Sequence, residues 1–295
     1  MEKLFGWAGM AVADKSYSKL EKCFVPFKLK AGSNKTAEYL WRYEKRLNNG
    51  KNIEPLLQET GDCTSFAAAK AIKIQEAVQI CESGDNIAFK DAFPPYIYGV
   101  SRTARECGNG ELGRSAGSVG AWIVAALQKY GVLFTDDAGV PKYSGALADQ
   151  WGYRGVPQEF YDLASDNPLK SVSRIETVDE LRAALLNKSP VIIGSSQGFT
   201  VSKESNYLVY TPRGTWGHEM VFTAWHDDPF PGAFRQNSWK YNVAGTGDIH
   251  PSNGDPEGGA WCRAEDLKRE FRQGVEMYSF NHFEGERSGR GLSFI

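Results

Sequence analysis

The sequence lacks the features that mark several large classes of protein. Its five cysteines include no CxxC pair and its four histidines follow no zinc-ligand spacing, so we expect neither a metal site nor a cofactor. No apolar run reaches the length of a membrane helix. A net charge of −2 provides no basic field, so we expect no nucleic-acid or membrane partner. What remains is a chain of ordinary globular composition, 41% hydrophobic and 24% charged.

The cysteines also indicate a cellular compartment. Their odd number and wide spread predict an intracellular reducing compartment, or a particle assembled in one. The N-terminus, MEKLFGWAGMAVADKS, has a faint signal-peptide shape, but two glycines and a tryptophan interrupt its apolar stretch. We therefore expect no signal peptide.

Helical patterns come first along the chain and strand patterns follow. This order predicts an α+β fold with two subdomains. The periodicity and stop signals predict helices over 36–47, 64–80, 120–130 and 178–187, and strands over 190–196, 206–211, 219–225 and 258–264. A long loop rich in Gly, Asn, Asp and Pro is expected over 241–258.

One cysteine has the surroundings of a nucleophile. In QETGDCTSF, Cys63 directly precedes the predicted helix 64–80, whose N-terminal amides and dipole favour a thiolate. His218, in WGHEMVF, begins a strand after a Gly-rich turn and is the candidate base. Asn237, in RQNSW, is placed to hold the imidazole in one tautomer, and Gln58 to donate its amide to an oxyanion.

This order of Gln, Cys on a helix, Gly-His before an apolar strand, and Asn-Ser-Trp resembles papain-like cysteine peptidases. GRSAGSVGAWIVAALQKYGVL (113–133) is similar to the family's substrate-binding turn and second helix. SVSRIETVDELRAALLNKSPVIIGSSQGF (171–199) is similar to the helix that leads into its first barrel strand, and GGAWCRAEDL (258–267) to its closing strand. The resemblance covers residues 58 to 270, most of the chain.

The resemblance implies a fold and a mechanism. A helical N-terminal subdomain would carry the Cys63 helix, a small antiparallel β-barrel would follow, and the active site would lie in the cleft between them. We expect an N-terminal arm or short pro-segment-like extension over 1–50, the helical subdomain over 51–165, and the barrel with a C-terminal tail over 166–295. The implied activity is that of a thiol-dependent endopeptidase acting on peptide or protein substrates.

The family's roles transfer to matching positions of this chain. Cys63 would be the nucleophile, His218 the base and then acid, and Asn237 the orienting group, while Gln58 and the Cys63 amide would form the oxyanion hole. The remaining implied residues belong to the substrate side of the cleft: Gly117 and Ser118 would pair with an extended peptide, and Trp239 would shield the Asn–His contact.

Some positions depart from the family pattern. Gln58 precedes Cys63 by one residue fewer than in papain, and the acidic Asp62 beside the thiol is expected to raise its pKa. The other departures are Thr64 after the cysteine, Ser118 for a second glycine, and Thr60, Arg114 and Ser115 in place of half-cystines.

Three alternatives stay open. The domain is also suited to a structural component of a larger assembly such as a virion, with protein partners at the N-terminal arm and at the tail 284–295. DCTSF also resembles the cysteine motif of cell-wall amidopeptidases, which use a second histidine and lack Asn-Ser-Trp. Finally, the arm over 1–50 would inhibit the enzyme if it lay through the cleft.

We interpret the remaining motifs as structural and not as binding or catalytic sites. His226, the competitor of His218, is expected to cap or pair with Asp227 or Asp228. GNGELG (108–113) matches a phosphate-loop pattern, but no strand leads into it and no helix begins within it. Acidic residues at 248, 255 and 257 fit no calcium-ligand spacing.

Overall fold

The computed structural model describes residues 5–21, 24–25 and 34–283. Helices dominate the first half of the chain and strands the second. The helices are α1 (Met10–Leu20), α2 (Trp41–Leu47), α3 (Cys63–Ser83), α4 (Pro94–Thr103), α5 (Gly120–Tyr130), α6 (Gly145–Arg154), α7 (Gln158–Ala164), α8 (Val178–Leu186) and α9 (Ala264–Gln273). The strands are β1 (Ala37–Tyr39), β2 (Leu169–Arg174), β3 (Val191–Glu204), β4 (Tyr207–His226), β5 (Gly232–Gln236), β6 (Gly259–Arg263) and β7 (Val275–Phe283).

The strands form one curled sheet in the order β2-β7-β3-β4-β5-β6, with β1 paired to β4. Neighbouring strands along this order are antiparallel. The long strand β4 also meets β6 near its start, where Val209 pairs with Trp261 in parallel, and this closes the curl. The register places Ser195 of β3 opposite His218 of β4.

Helix α3 is shared by two hydrophobic cores. Its residues 63–79 are all buried. Ala68 and Ile72 belong to the core of the helical half, whereas Ile74 and Ala77 belong to the core of the sheet half. The helix therefore joins the two halves, and the predicted α+β fold with a helical and a barrel-like subdomain is confirmed.

Local sequence signals explain where the helices begin and end. Helix α8 begins with a complete capping box, because Thr177 accepts from the Glu180 amide while the Glu180 carboxylate accepts from the Thr177 amide. Helix α3 ends at Gly84, whose φ of +67° suits glycine. The helices predicted over 64–80, 120–130 and 178–187 are confirmed as α3, α5 and α8.

Two predicted elements need correction. Residues 36–47 are not one helix, because Ala37–Tyr39 pair with β4 and the helix begins only at Trp41. The strands predicted over 206–211 and 219–225 are one strand, β4, whose middle continues to pair with β3. The segment 1–50 thus has two parts, since 37–47 is built into the sheet half. The tail 284–295 and Cys23 lie outside the described residues.

The described ranges lack two kinds of feature. No helix there is both long and apolar enough to cross a membrane. The same ranges contain no group of three His, Cys, Asp or Glu side chains able to hold a metal ion.

Candidate active site

Cys63 is the first residue of α3 and is completely buried. The backbone amide of Glu219 donates a hydrogen bond to its Sγ over 3.3 Å, and the Gly6 amide also faces the sulfur. The helix N-terminus adds a positive dipole end, which favours a thiolate. The predicted nucleophile therefore contacts the residue that directly follows the predicted base, His218.

His218 is buried in β4 and bonded to Asn237. The distance from His218 Nε2 to Asn237 Oδ1 is 2.7 Å. The Asn237 amide is itself fixed, because its Nδ2 donates to the Val243 carbonyl over 2.9 Å and its Oδ1 accepts from the Ser238 amide over 2.7 Å. Since Oδ1 can only accept, His218 Nε2 carries the proton and Nδ1 is the basic nitrogen. Nδ1 has no hydrogen-bond partner in the described part of the chain.

Trp239 covers this pair. Its ring stacks on His218 with centroids 4.4 Å apart and 25° between planes, and only 2% of the residue is exposed. Trp216 packs edge-on against it at 5.3 Å, and Phe5 of the N-terminal segment does so at 5.9 Å. Trp239 thus shields the His–Asn contact and also contacts the chain segment that lies in the cleft.

Gln58 is close to the site through Ser238. Its backbone amide donates to the Ser238 carbonyl over 2.9 Å, and its side-chain oxygen accepts from the Ser238 hydroxyl. Its side-chain nitrogen donates to the Thr60 carbonyl over 2.7 Å. Its role as an oxyanion donor stays a prediction.

The expected peptide-binding backbone at Ser118 already pairs with a peptide, the chain's own N-terminal segment. Ser118 donates to the Gly6 carbonyl over 2.8 Å and accepts from the Ala8 amide over 2.8 Å. On the opposite side, the Gly217 carbonyl accepts from the amides of Gly6 (3.0 Å) and Trp7 (3.1 Å). We call residues 5–9 the plug segment, because they fill the cleft beside Cys63.

Glycines make this close approach possible. A Cβ on Gly6 would lie 2.0 Å from the carbonyl oxygen of Gly61. A Cβ on Gly117, which has φ +106°, would lie 2.7 Å from the carbonyl oxygen of Gly6. Gly117 therefore serves the cleft by having no side chain, and its amide donates to the Tyr98 hydroxyl over 2.9 Å.

Solved structures match this chain over nearly its whole length. Xylellain, a cysteine protease from Xylella fastidiosa, has 16% identity and a TM-score of 0.63, and the match covers 97% of this chain and 99% of that one. Digestive procathepsin L 3 of Tenebrio molitor has 12% identity and a TM-score of 0.54, with 94% and 83% covered. The bromelain protease from Ananas comosus, solved with the E64 inhibitor, has 12% identity and a TM-score of 0.51, with 83% and 97% covered.

The chain has the papain-like fold. No family model and no curated protein matches its sequence. At these identities the likeness establishes the fold alone. This is the fold that the resemblance of the motifs predicted.

With the plug segment in place, burial favours the neutral forms of Cys63 and His218. Burial raises the pKa of the Cys63 thiol, and the nearby Glu219 and Asp62 carboxyls raise it further. Burial likewise lowers the pKa of His218 to about 4, although the bond to Asn237 opposes this shift. A thiolate–imidazolium pair is therefore disfavoured while the cleft is closed.

The expectation for His226 was wrong. Its ring stacks on Trp261, with centroids 3.6 Å apart and 4° between planes, and both ring nitrogens lack hydrogen-bond partners in the described ranges. Asp227 instead accepts from Arg182 and from the Trp225 indole. His226 is therefore a packing residue of the sheet half.

Three residues at the site were missed by the sequence analysis: Trp7, Glu219 and Glu276. The Trp7 indole donates to Glu276 Oε1 over 2.6 Å, although the two residues are 269 positions apart. No local pattern reports such a contact. The one available signal was the sequence His-Glu at 218–219, which places a carboxyl beside the candidate base.

Proposed function

We propose that the chain is a cysteine endopeptidase that cleaves peptide bonds through an acyl-enzyme on Cys63. One observation carries the proposal. His218 Nε2 is bonded to Asn237 Oδ1 over 2.7 Å, and the backbone amide of Glu219 donates to the Cys63 sulfur over 3.3 Å. Cys63, His218 and Asn237 thus lie near one another at a helix N-terminus, and this arrangement supports nucleophilic catalysis by a thiol.

In the proposed reaction, His218 Nδ1 is the proton acceptor, because Nε2 is bonded to Asn237. Nδ1 takes the Cys63 proton, and the thiolate adds to the substrate carbonyl to give a tetrahedral oxyanion. The Cys63 amide at the start of α3 and the Gln58 side chain would bind that oxyanion. His218 then returns the proton to the leaving amine, and the C–N bond breaks. Water, deprotonated by His218, attacks the thioester and releases the acid and the free thiol.

The plug segment acts as an inhibitor in this proposal. It occupies the Ser118 backbone groups and the Gly217 carbonyl, which an extended substrate would otherwise use. With the segment in place, Cys63 and His218 are both completely buried, which disfavours their charged forms. Activity therefore requires that residues 5–9 leave the cleft.

The test is the rate at which iodoacetamide modifies Cys63 at pH 6, measured by peptide mass. Gly6→Ala should release the plug segment, because the new methyl group would overlap the Gly61 carbonyl. We expect slow modification in the wild type, fast modification in Gly6→Ala, and slow modification again in Gly6→Ala/His218→Ala, whose thiol would titrate near about 8.5.

Controls make this result specific. Ala11→Ser changes an exposed position of α1 and should behave as the wild type. A fluorogenic peptide should leave an acyl adduct on Cys63 in the Gly6→Ala protein. If Cys63 is equally slow with and without the Gly6 substitution while the protein stays folded, the proposal fails.

The amidopeptidase alternative is less well supported. Its third polar group would be a second histidine, whereas the partner of His218 is the Asn237 amide and His226 stacks on Trp261. The assembly alternative depends on the arm and on the tail 284–295, and it stays a prediction, as does the reducing compartment.

A further inference from the structure

A buried arginine binds the loop that leads to the peptide-pairing backbone of the cleft. Arg102, in the last turn of α4, is 4% exposed. Its Nε donates to the Gly152 carbonyl of α6 over 2.8 Å, and its Nη1 donates to the Gly117 carbonyl. Its Nη2 donates to the carbonyls of Gly113, over 2.8 Å, and Ser115, over 2.7 Å. One guanidinium therefore joins α6 to three points of the loop.

We call residues 113–118 the cleft loop, because Ser118 at its end pairs with the plug segment. Residues 113–116 are exposed and belong to no helix or strand. The amides of Gly113 and Ser115 donate to carbonyls three residues earlier, so these bonds fix the loop only locally. Because exposed loops with few long-range contacts are mobile, the bonds from Arg102 are what ties this loop to the rest of the fold.

Other residues on the same face of α4 support the end of the loop. Tyr98 and Ser101 precede Arg102 by four and one positions, and residues three or four apart share a helix face. The Tyr98 hydroxyl accepts from the Gly117 amide over 2.9 Å, and the Ser101 hydroxyl lies 2.9 Å from that of Ser118. Helix α4 thus holds both backbone polar groups of Gly117, the residue directly before Ser118.

We propose that Arg102 is a positioning residue of the cleft, whose guanidinium holds the cleft loop where the Ser118 backbone can pair with an extended peptide. For substrates, this inference rests on the proposed peptidase function. A guanidinium is a planar fork with five N–H donors in fixed directions, whereas a lysine ammonium is a compact charge with three. Loss of the fork should therefore weaken the pairing of any peptide with Ser118, although Arg102 makes its own bonds to the loop and to α6.

The plug segment shows how far a peptide must extend to reach the cleft loop. The Gly6 amide faces the Cys63 sulfur, and Trp7, the next residue, is bridged to Ser118. A substrate with a single residue would stay at Cys63, whereas a substrate with three residues would reach Ser118. The effect of Arg102 should thus depend on substrate length, and a general loss of stability would not reproduce that dependence.

The experiment compares Gly6→Ala with Gly6→Ala/Arg102→Lys, which keeps the charge and loses the fork. One substrate is a three-residue fluorogenic amide, and the other is a single-residue nitrophenyl ester. For the three-residue substrate, we expect KM to rise about tenfold, the worth of one charge-assisted hydrogen bond, while kcat stays close to unchanged. The ester should be cleaved as before. Equal changes with both substrates, or no change with either, would overturn the proposal.

Two further variants make the result specific. Tyr98→Phe removes the acceptor of the Gly117 amide and keeps the ring, so KM for the three-residue substrate should rise in the same direction by less. Arg105→Lys makes the matched substitution at an exposed position and should leave both substrates unaffected. If circular dichroism showed Arg102→Lys to be unfolded, an unchanged KM in Tyr98→Phe would overturn the role of α4.

A measurement without catalysis separates this proposal from the peptidase function. Amide hydrogen exchange over 113–118 is followed by mass spectrometry in the chain that retains Gly6. We expect exchange several-fold faster in Arg102→Lys than in the wild type, and unchanged exchange in Arg105→Lys. Faster exchange, together with no cleavage of any peptide by Gly6→Ala, would uphold the role of Arg102 and refute the peptidase. Cleavage by Gly6→Ala with unchanged exchange and KM in Arg102→Lys would do the reverse.

Discussion

At the residue scale, burial changes the acidity of Asp62, the residue that precedes Cys63. It is fully buried, its Oδ1 has no partner in the described ranges, and its Oδ2 accepts from the Tyr143 hydroxyl over 3.1 Å. Burial raises its pKa to about 8. A carboxyl that remains protonated near neutrality repels a thiolate at Cys63 less than an ionised one would, which moderates the expected effect of this acidic neighbour.

The same shift makes stability depend on pH. The folded-state pKa of Asp62, about 8, is above the unfolded value of about 3.9. The folded state therefore binds the proton more tightly, and the stability that this contributes at low pH is lost as pH rises from about 4 to about 8.

Asp62→Asn should remove this dependence. We expect its free energy of unfolding to exceed that of the wild type by a few kcal/mol at pH 8, and the difference to shrink towards pH 4. Urea unfolding at both pH values measures it. Asp166→Asn, at an exposed position, is the control; a constant difference between Asp62→Asn and wild type across this range would contradict the expected titration.

At the element scale, the N-terminal region contains two pieces with different tasks. Residues 5–9 fill the cleft, whereas β1 and α2 are structural. Leu40 is completely buried, and Glu44 on α2 pairs with Lys70 of α3 over 2.7 Å. Removal of the whole region would therefore expose the site and also damage the core.

Comparing two variants separates these tasks. Gly6→Ala should raise peptide turnover and lower the melting temperature only moderately, because Trp7 leaves its buried position while 37–47 stays in place. Deletion of 1–50 should lower the melting temperature strongly, because it removes buried Leu40 and Trp41 and leaves Lys70 unpaired, together costing more than about 3 kcal/mol. A deletion that retained full stability would contradict the structural role of 37–47.

A part of the fold could be predicted from the sequence where its signal is local, and could not be predicted where it depends on contacts between distant residues. Helices α3, α5 and α8 were predictable because glycine stops and the Thr177 capping box are local. Strand β4 was predicted as two pieces because Pro212 and Gly214 interrupt its pattern, although pairing with β3 continues across them. The contacts of the plug segment were not predictable in detail, since they join distant parts of the chain.

The candidate site likewise contains residues that the sequence predicted and residues that it did not. Cys63, His218 and Asn237 stand in motifs whose order is informative, and the bond between His218 and Asn237 is present. Glu276, by contrast, lies in the nine-residue strand β7, which no sequence pattern singled out. Its partners come from the first ten residues and from α5, and only the folded chain brings them together.

At the scale of the whole molecule, a buried ion pair connects the sheet to α9. Arg235 of β5 is completely buried and pairs with Glu270 of α9 over 2.7 Å. Its guanidinium lies 4.8 Å from the Phe199 ring centroid and 4.7 Å from that of Phe222. Since Asn237 follows directly after β5, the pair also fixes the strand that presents the Asn237 amide to His218.

Breaking this pair on one side should cost more than removing it entirely. Arg235→Met leaves Glu270 buried without a cation, and we expect a loss of about 3–5 kcal/mol in urea unfolding. Arg235→Met/Glu270→Leu removes both charges and should recover most of that loss. Lys129→Met breaks the exposed Lys129–Glu106 pair and should leave stability close to that of the wild type. If the single and double variants of the buried pair were equally unstable, packing around Arg235 rather than charge compensation would hold β5 and Asn237 in place.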